Sequence, residues 1–337
     1  MTPVLTPSVR LTTLLPFSIW TRQGPEASVL AKADLPNLRA WLAASLRVDV
    51  QVDQRREPLL ASLSPPHERA WARDVGWSDV DGALPWAAQA AAQAGLDTRT
   101  DAVPTAWAFI SLCNWLVSHG QVTLGDPAHL QLDDATDAVL IQAMQGFFAE
   151  DGITLYPYQP GLWLAQSPLF VDLPTASLDR VIGRNIDPWL VGCEGDQNAL
   201  SPAAKLLRRL QNEMQMLLYT HPVNEGRSLT INSFWVHGTG ALAPLTRDAP
   251  QRFDTLRSPA LQQDLIGWLE AWQQVDAEVI APLLKRLADG EAQRLVLCGE
   301  HEFHVYDSVT PSLWQRLRTH FAPTSLDTVL AVAPLKD

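Results

Sequence analysis

Residues 201–240 read SPAAKLLRRLQNEMQMLLYTHPVNEGRSLTINSFWVHGTG, and the fold follows from how this stretch is parsed. Ser201 before Pro202 is a helix start, because a serine hydroxyl accepts from the first free N–H groups and proline is pre-set for the first turn. Leu206, Leu210, Met214, Leu217 and Leu218 recur at helical spacing and form the buried side. Lys205, Arg208, Gln211, Asn212 and Gln215 lie largely elsewhere. Glu213 sits beside the apolar stripe, where a carboxylate needs a cation such as Arg209 or Arg227. His221-Pro222 stops the helix, since a residue before proline avoids the α region. SLTINSFWV is then a strand, and Gly238 and Gly240 permit close approach of another backbone.

Working outward to the N-terminal side, the order becomes clear. Residues 106–124 hold at least one apolar strand. Asp133 or Asp134 caps a helix with Leu140, Ile141, Met144, Phe147 and Phe148 on one face. ITLYPY and GLWLAQ flank Gln159-Pro160-Gly161 and read as a hairpin. With the opening stretch this gives β-α-β-β-connector-α-β, the pattern of a ferredoxin-like split unit. Its limits are placed at residues 105–240. Residues 1–104 and 241–337 alternate strand and helix and are expected to form one discontinuous α/β core.

In that core, RLTTLLPFSIW (10–20) is a first strand cut short by Pro16. Asp34 and Pro36 open a helix over 36–46, followed by the short strand VDVQV. Ser64 with Pro65 starts another helix, on which His67 is expected to face solvent. Pro85 opens an alanine-rich helix that ends at Gly95. Pro259 opens a long helical pattern, kinked by Pro282 and stopped at Asp289-Gly290. RLVLCG is a buried strand, and a last helix spans 312–321.

Composition narrows the function. The chain has 337 residues, 47% of them hydrophobic, with 13 tryptophans and a net charge of −12. Nucleic-acid binding needs a basic face to displace counterions, and the only compact basic group is Lys205, Arg208 and Arg209 on a helix. Cys113, Cys193 and Cys298 are widely spaced, which fits a reducing compartment and no disulfide framework. No signal peptide and no window of 18 apolar residues is found, so the expected setting is bacterial-type cytoplasm, away from membranes. The chain lacks GxGxxG after a strand, GxxxxGK[ST], GxSxG, HExxH and CxxC.

Two polar clusters remain. His221, Asn224, Arg227, Asn232 and Trp235, with His237 nearby, make a plausible cradle for a carboxylate or phosphate, because arginine and amide groups offer several donors. The alternative is a turn held by its own side chains. The second cluster is CGEHEFH, in which Cys298 and His304 could share a site with Glu300, and His301 lies close by, ligand types suited to zinc or manganese; the favoured reading is a polar strand end, because one short segment seldom supplies a whole site.

HPVNEGRSLTINSFWVHGTG resembles a stretch of the archaeal-type cofactor-independent phosphoglycerate mutases, of the form HPVN, then R, then N-x-x-W, then G-x-G. ADLPNLRAWL is similar to a helix of the same alkaline phosphatase superfamily. SLSPPHERA, FFAEDGITL, ASLDRVIGR and LQNEMQMLLYTHPVN more closely resemble bacterial RpfE-type regulatory proteins. The resemblance implies an alkaline-phosphatase-like layered core with an inserted α+β domain. It implies metal-dependent mutase chemistry only if the metal ligands are kept. The mutases end their first strand in aspartate-glycine, whereas this chain has PFSIW, and CGEH at 298–301 is at best a remnant of their GDH motif. The expectation is therefore a pseudoenzyme-like regulatory protein with no catalytic residues, resident metal or cofactor. It would bind a small anionic metabolite or a protein partner. A working metal-dependent mutase or phosphatase, with Glu300, His301 and His304 as ligands, and a pure protein-interaction module are the alternatives.

Overall fold

The structure is a computed structural model and describes residues 11–21, 30, 33–52, 62–98, 106–192, 201–308 and 326–332. The helix expected at 312–321 and Cys193 lie outside these residues. In chain order the main elements are β1 (Leu11–Leu15), α1 (Pro36–Ala43), β2 (Ser45–Val52), α2 (Pro66–Val75), α3 (Trp86–Gln93), β3 (Ala106–Cys113), β4 (Trp115–Ser118) and β5 (Gln121–Leu124). Then follow α4 (Asp134–Glu150), β6 (Thr154–Gln159), β7 (Leu162–Ser167), α5 (Pro202–Tyr219) and β8 (Ser233–Gly240). The chain continues with α6 (Leu265–Val275), α7 (Ala281–Ala288), β9 (Gln293–Cys298) and β10 (Glu302–Ser308). The fold is mixed α/β. It divides into one unit of residues 1–57, 66–76 and 246–337 and another of residues 58–65 and 77–245. No described helix is long and apolar enough to cross a membrane.

In the unit that carries β1, five strands lie in the order Gln251–Arg252, β1, β9, β10, β2. β1 runs parallel to both of its neighbours, and β9, β10 and β2 alternate in direction. Alternation along the strands sends Leu15, Leu295, Leu297 and Tyr306 into a core with Trp41, Trp268 and Trp272 of the helices. Leu14, Val296, Cys298 and Phe303 pack with Ala70 and Trp71 of α2. Each face of the sheet therefore has helical cover. Pro282 does not break the helix it sits in. A π-helical segment, Asp276–Ile280, joins α6 to α7 immediately before it. That wider turn absorbs the i−4 bond that proline cannot make.

The same segment corrects the expected start of α1. Asp34 does not cap that helix, since its N-cap residue is Leu35 with no side-chain bond. The buried Asp276 does so instead, accepting from the Leu38 N–H at 2.6 Å and the Asn37 N–H at 3.1 Å. His67 is also corrected, because it is buried and packs its ring 5.1 Å from Phe17.

In the unit of residues 77–245 the strands lie in the order β6, β7, β3, β8 and are antiparallel throughout. This is the β-α-β-β-α-β succession read from the sequence, with the hairpin β4–β5 following β3. Asp133 caps α4 through a 2.8 Å bond from the Thr136 N–H, and Ser201 caps α5 through a 3.1 Å bond from the Ala204 N–H. Ala106, Ala108, Ile110 and Leu112 of β3 face Leu140, Met144 and Phe148 of α4 and Leu207, Leu210 and Met214 of α5. The opposite face buries Trp107 and Leu164 against four alanines of α3. Gly238 and Gly240 do allow a close approach, and the approaching element is the start of α3. A Cβ at Gly238 would lie 3.1 Å from Trp86 and Phe109, and one at Gly240 would lie 3.1 Å from Pro85. Gly238 also has φ +64°, where the β8 register shifts against β3, so the residue serves a bulge.

Candidate functional site

The polar groups of the 221–235 stretch are bonded into the fold. His221 Nδ1 accepts from the Val223 N–H at 3.2 Å, capping the 3-10 turn that follows α5. Asn224 accepts from the Ile231 N–H at 2.8 Å and donates to the carbonyls of Ile231 and Leu218 at 2.8 and 2.9 Å. Arg227 donates to the carbonyls of Leu130 and Leu229. Asn232 accepts from the Trp115 N–H at 2.7 Å and donates to the Trp115 carbonyl at 2.9 Å. Trp235 is buried, and its indole N–H donates to the Ala176 carbonyl at 2.8 Å. The bonded groups serve the turn, the segment before α4, β4 and the loop before residue 178. Glu213, expected to need a cation, lies 3.5 Å from Arg209, which also pairs with Asp151.

Cys298 and His304 of CGEHEFH do not converge, which leaves the polar strand end as the reading that fits. Cys298 is paired with Phe303 and Leu297 with His304 across β9 and β10. Directly paired residues share a face and neighbours alternate, so Cys298 and His304 point to opposite sides of the sheet. His304 instead pairs with Glu302 at 2.7 Å, and His301 lies 3.7 Å from Glu300. Burial pushes the Cys298 thiol well above the ordinary cysteine range, which keeps it protonated and unlike a ligand thiolate.

At the carboxyl ends of the parallel pair β1 and β9, where ligands of open α/β sheets usually bind, the chain closes on itself. The Ser18 hydroxyl donates to the Leu15 carbonyl at 2.7 Å and accepts from the Cys298 N–H at 2.8 Å. The Ser18 N–H donates to the Cys298 carbonyl at 2.7 Å. This geometry puts Phe17 at φ +57°. A bulky side chain there costs on the order of 1–3 kcal/mol. Trp268 holds the turn by donating to the Phe17 carbonyl at 2.7 Å.

A second group of aromatic and polar side chains lies on the α3 side of the four-stranded sheet. Phe109 and Ser111 alternate along β3, and Trp235 and His237 along β8. His237 Nε2 and Ser111 Oγ are 2.8 Å apart. Phe109 is flanked by the His237 ring at 5.2 Å and the Tyr158 ring at 6.0 Å. Trp107 and Tyr156 form a second ring contact at 5.4 Å. Tyr158 is 36% exposed, while Phe109 and His237 are half-buried. Loss of solvent pushes His237 down to about 4, opposed by the Asp179 carboxylate, so the imidazole is neutral at pH 7. The sequence reading does not single out Phe109, Ser111, Tyr156 or Tyr158; the signal available is the period-2 spacing of Tyr156 with Tyr158 and of Phe109 with Ser111.

The depressed value has a consequence for stability. Between the ordinary 6.5 and about 4 the unfolded chain binds a proton at His237 that the folded chain does not. The stabilisation is fully present above pH 6.5 and is lost as pH falls through that window. The expected loss is about 2 kcal/mol, taken below the full 1.36 kcal/mol per unit because the residue is only half-buried. Urea denaturation of the wild type and His237→Gln at pH 7 and pH 4.5 checks it. The difference between the two proteins should open by that amount at the lower pH, and parallel curves would contradict it.

No family model and no curated protein matches this chain. Among solved structures, the cofactor-independent phosphoglycerate mutase from Thermoplasma acidophilum DSM 1728 is similar over 97% of both chains, at 12% identity and a TM-score of 0.38.

Proposed function

We propose that this chain is a non-catalytic regulatory protein that acts by binding, on an alkaline-phosphatase-like core with a ferredoxin-like insertion. The arrangement is supported by the stretches resembling the phosphoglycerate mutases and the RpfE-type proteins, and by the β-α-β-β-α-β order of the 77–245 unit. The observation that carries the non-catalytic reading is the closure of the β1 end on β9 by Ser18. Two-metal phosphoryl transfer needs carboxylates and histidines to hold its ions. The end of β1 supplies Pro16, Phe17 and Ser18 in place of the aspartate-glycine pair, and the Ser18 hydroxyl is already bonded at both its donor and its acceptor side.

The test has two arms. Purified protein supplied with manganese or zinc is assayed for interconversion of 2- and 3-phosphoglycerate. The same protein is screened by thermal shift against phosphometabolites, nucleobases and nucleosides, because a ligand of the native state raises its stability. Turnover that follows metal loading would overturn the reading. Stabilisation by a small molecule without turnover is the expected result.

A further inference from the structure

Beyond the binding reading and independent of it, we infer that β2 is the contact by which two copies of this chain associate, edge to edge across a two-fold axis at Val50. β2 closes one side of the five-stranded sheet, and among the described residues its single neighbouring strand is β10. An edge strand offers a row of N–H and C=O groups to another strand, and chains usually blunt it with lysine or proline. The eight residues of β2, SLRVDVQV, contain neither, and no glycine. Leu46, Val48, Val50 and Val52 are all exposed, so four large apolar side chains of one strand meet water.

The faces of β2 select the axis. Directly opposite residues of an antiparallel pair share a face. Arg47 is paired with Tyr306, which packs in the core of Trp41, and Asp49 with Val305, which packs on the α2 side. Arg47 and Asp49 therefore point to opposite faces, and the register against β10 shifts between them. A two-fold axis at Arg47 or at Asp49 would set like charges directly opposite each other. An axis at Val48 would ask Arg47 to pair with an aspartate on a face it does not share. An axis at Val50 sets that valine against its counterpart and Asp49 against the Gln51 of the second copy, all within the stretch that is regular against β10.

This register is also complementary in charge, which is what commits the edge to a second copy. Within one chain the Gln51 amide donates to both carboxylate oxygens of Asp49, at 3.0 and 3.1 Å. Across the axis each carboxylate gains a second amide opposite it, and amides and carboxylates alternate. The strand carries one arginine and one aspartate, so two such edges meet without the repulsion that a chain of net charge −12 brings to contacts elsewhere. Self-complementarity of this kind is the requirement of a two-fold contact, in which one patch faces itself. Main-chain bonds supply the attraction of an added strand, and the valine pairs supply its fit.

Sedimentation velocity of the full chain over a wide range of concentration is expected to show a monomer–dimer equilibrium. Val50→Lys changes an exposed side chain, so its monomer should melt like the wild type by circular dichroism. Its dimer should weaken about tenfold, because the axis then opposes two ammonium groups and loses a valine pair. Val50→Cys reads the axis itself, since cross-strand Cα atoms about 4.5–5.5 Å apart lie within disulfide range. Mild oxidation should link Val50→Cys to itself, whereas Asp49→Cys should link only when mixed with Gln51→Cys. Wild type is the control, and its Cys113 and Cys298 are buried. A monomer at every concentration, which would leave the edge to another protein or to this chain's own residues, would overturn the inference. So would a dimer that Val50→Lys leaves intact, or self-linking of Asp49→Cys. None of these results bears on the binding role, which the metal-loaded assay and the metabolite screen test separately.

Discussion

Replacing Asp276 by alanine is expected to lower the unfolding free energy by about 3 kcal/mol. The carboxylate is buried and carries several bonds at once. Oδ1 accepts from the Leu38 N–H at 2.6 Å, and Oδ2 accepts from the N–H and the side-chain amide of Asn37 at 3.1 and 2.9 Å. Two of these donors are first-turn N–H groups of α1, which have no partner within their own helix. Negative charge is also favourable at that end of a helix dipole. Alanine removes the acceptor and leaves those donors in the core without a bond. Asp276→Asn keeps one acceptor oxygen and loses the charge, so about half the effect is expected. Urea titration checks both, with a shifted midpoint at unchanged slope. A loss below about 1 kcal/mol for alanine would mean that water replaces the cap.

That residue also shows where reading the chain reaches its limit. A proline at position 36 marks the start of α1 correctly, because its preference is local. The cap was assigned to Asp34 by the same local rule, yet the bonded acid is 239 positions from Asn37 along the chain. Nothing in the spacing of residues 33–42 encodes that partner. His67 failed for the same kind of reason. Its neighbour Phe17 comes from a turn fifty residues earlier, so the helix pattern alone left it on the solvent side. By contrast, the caps at Asp133 and Ser201 and the turn at Pro160-Gly161 were legible, because each is completed within a few residues. The β-α-β-β-α-β order was legible because strand and helix periods differ over the length of each element. The Cys298–His304 pairing was not, since which strand residues share a face depends on a register that sequence spacing does not fix.

The candidate site divides in the same way. Polar density at 221–237 was visible, but density does not say whether a carbonyl of the chain or a ligand meets each group. Asn224 meets groups of the chain and gives a second large expected effect. Its side chain accepts from the Ile231 N–H and donates to the Ile231 carbonyl, copying the bonds of a neighbouring strand, and also donates to the Leu218 carbonyl. These bonds tie the end of α5 to the approach of β8. Asn224→Ala is expected to cost about 3 kcal/mol, because one N–H and two carbonyls lose their partner at a half-buried position. Asn224→Asp is the sharper comparison. It has the same shape and still accepts from Ile231, but it sets a carboxylate against two carbonyl oxygens, so it should be at least as damaging as alanine. Its deficit should shrink as pH falls toward the carboxyl range, since the neutral acid regains one donor. Denaturation of both variants at pH 7 and pH 4.5 reads this directly. Full stability in Asn224→Ala, accompanied by loss of a bound metabolite, would return Asn224 to the role of ligand contact.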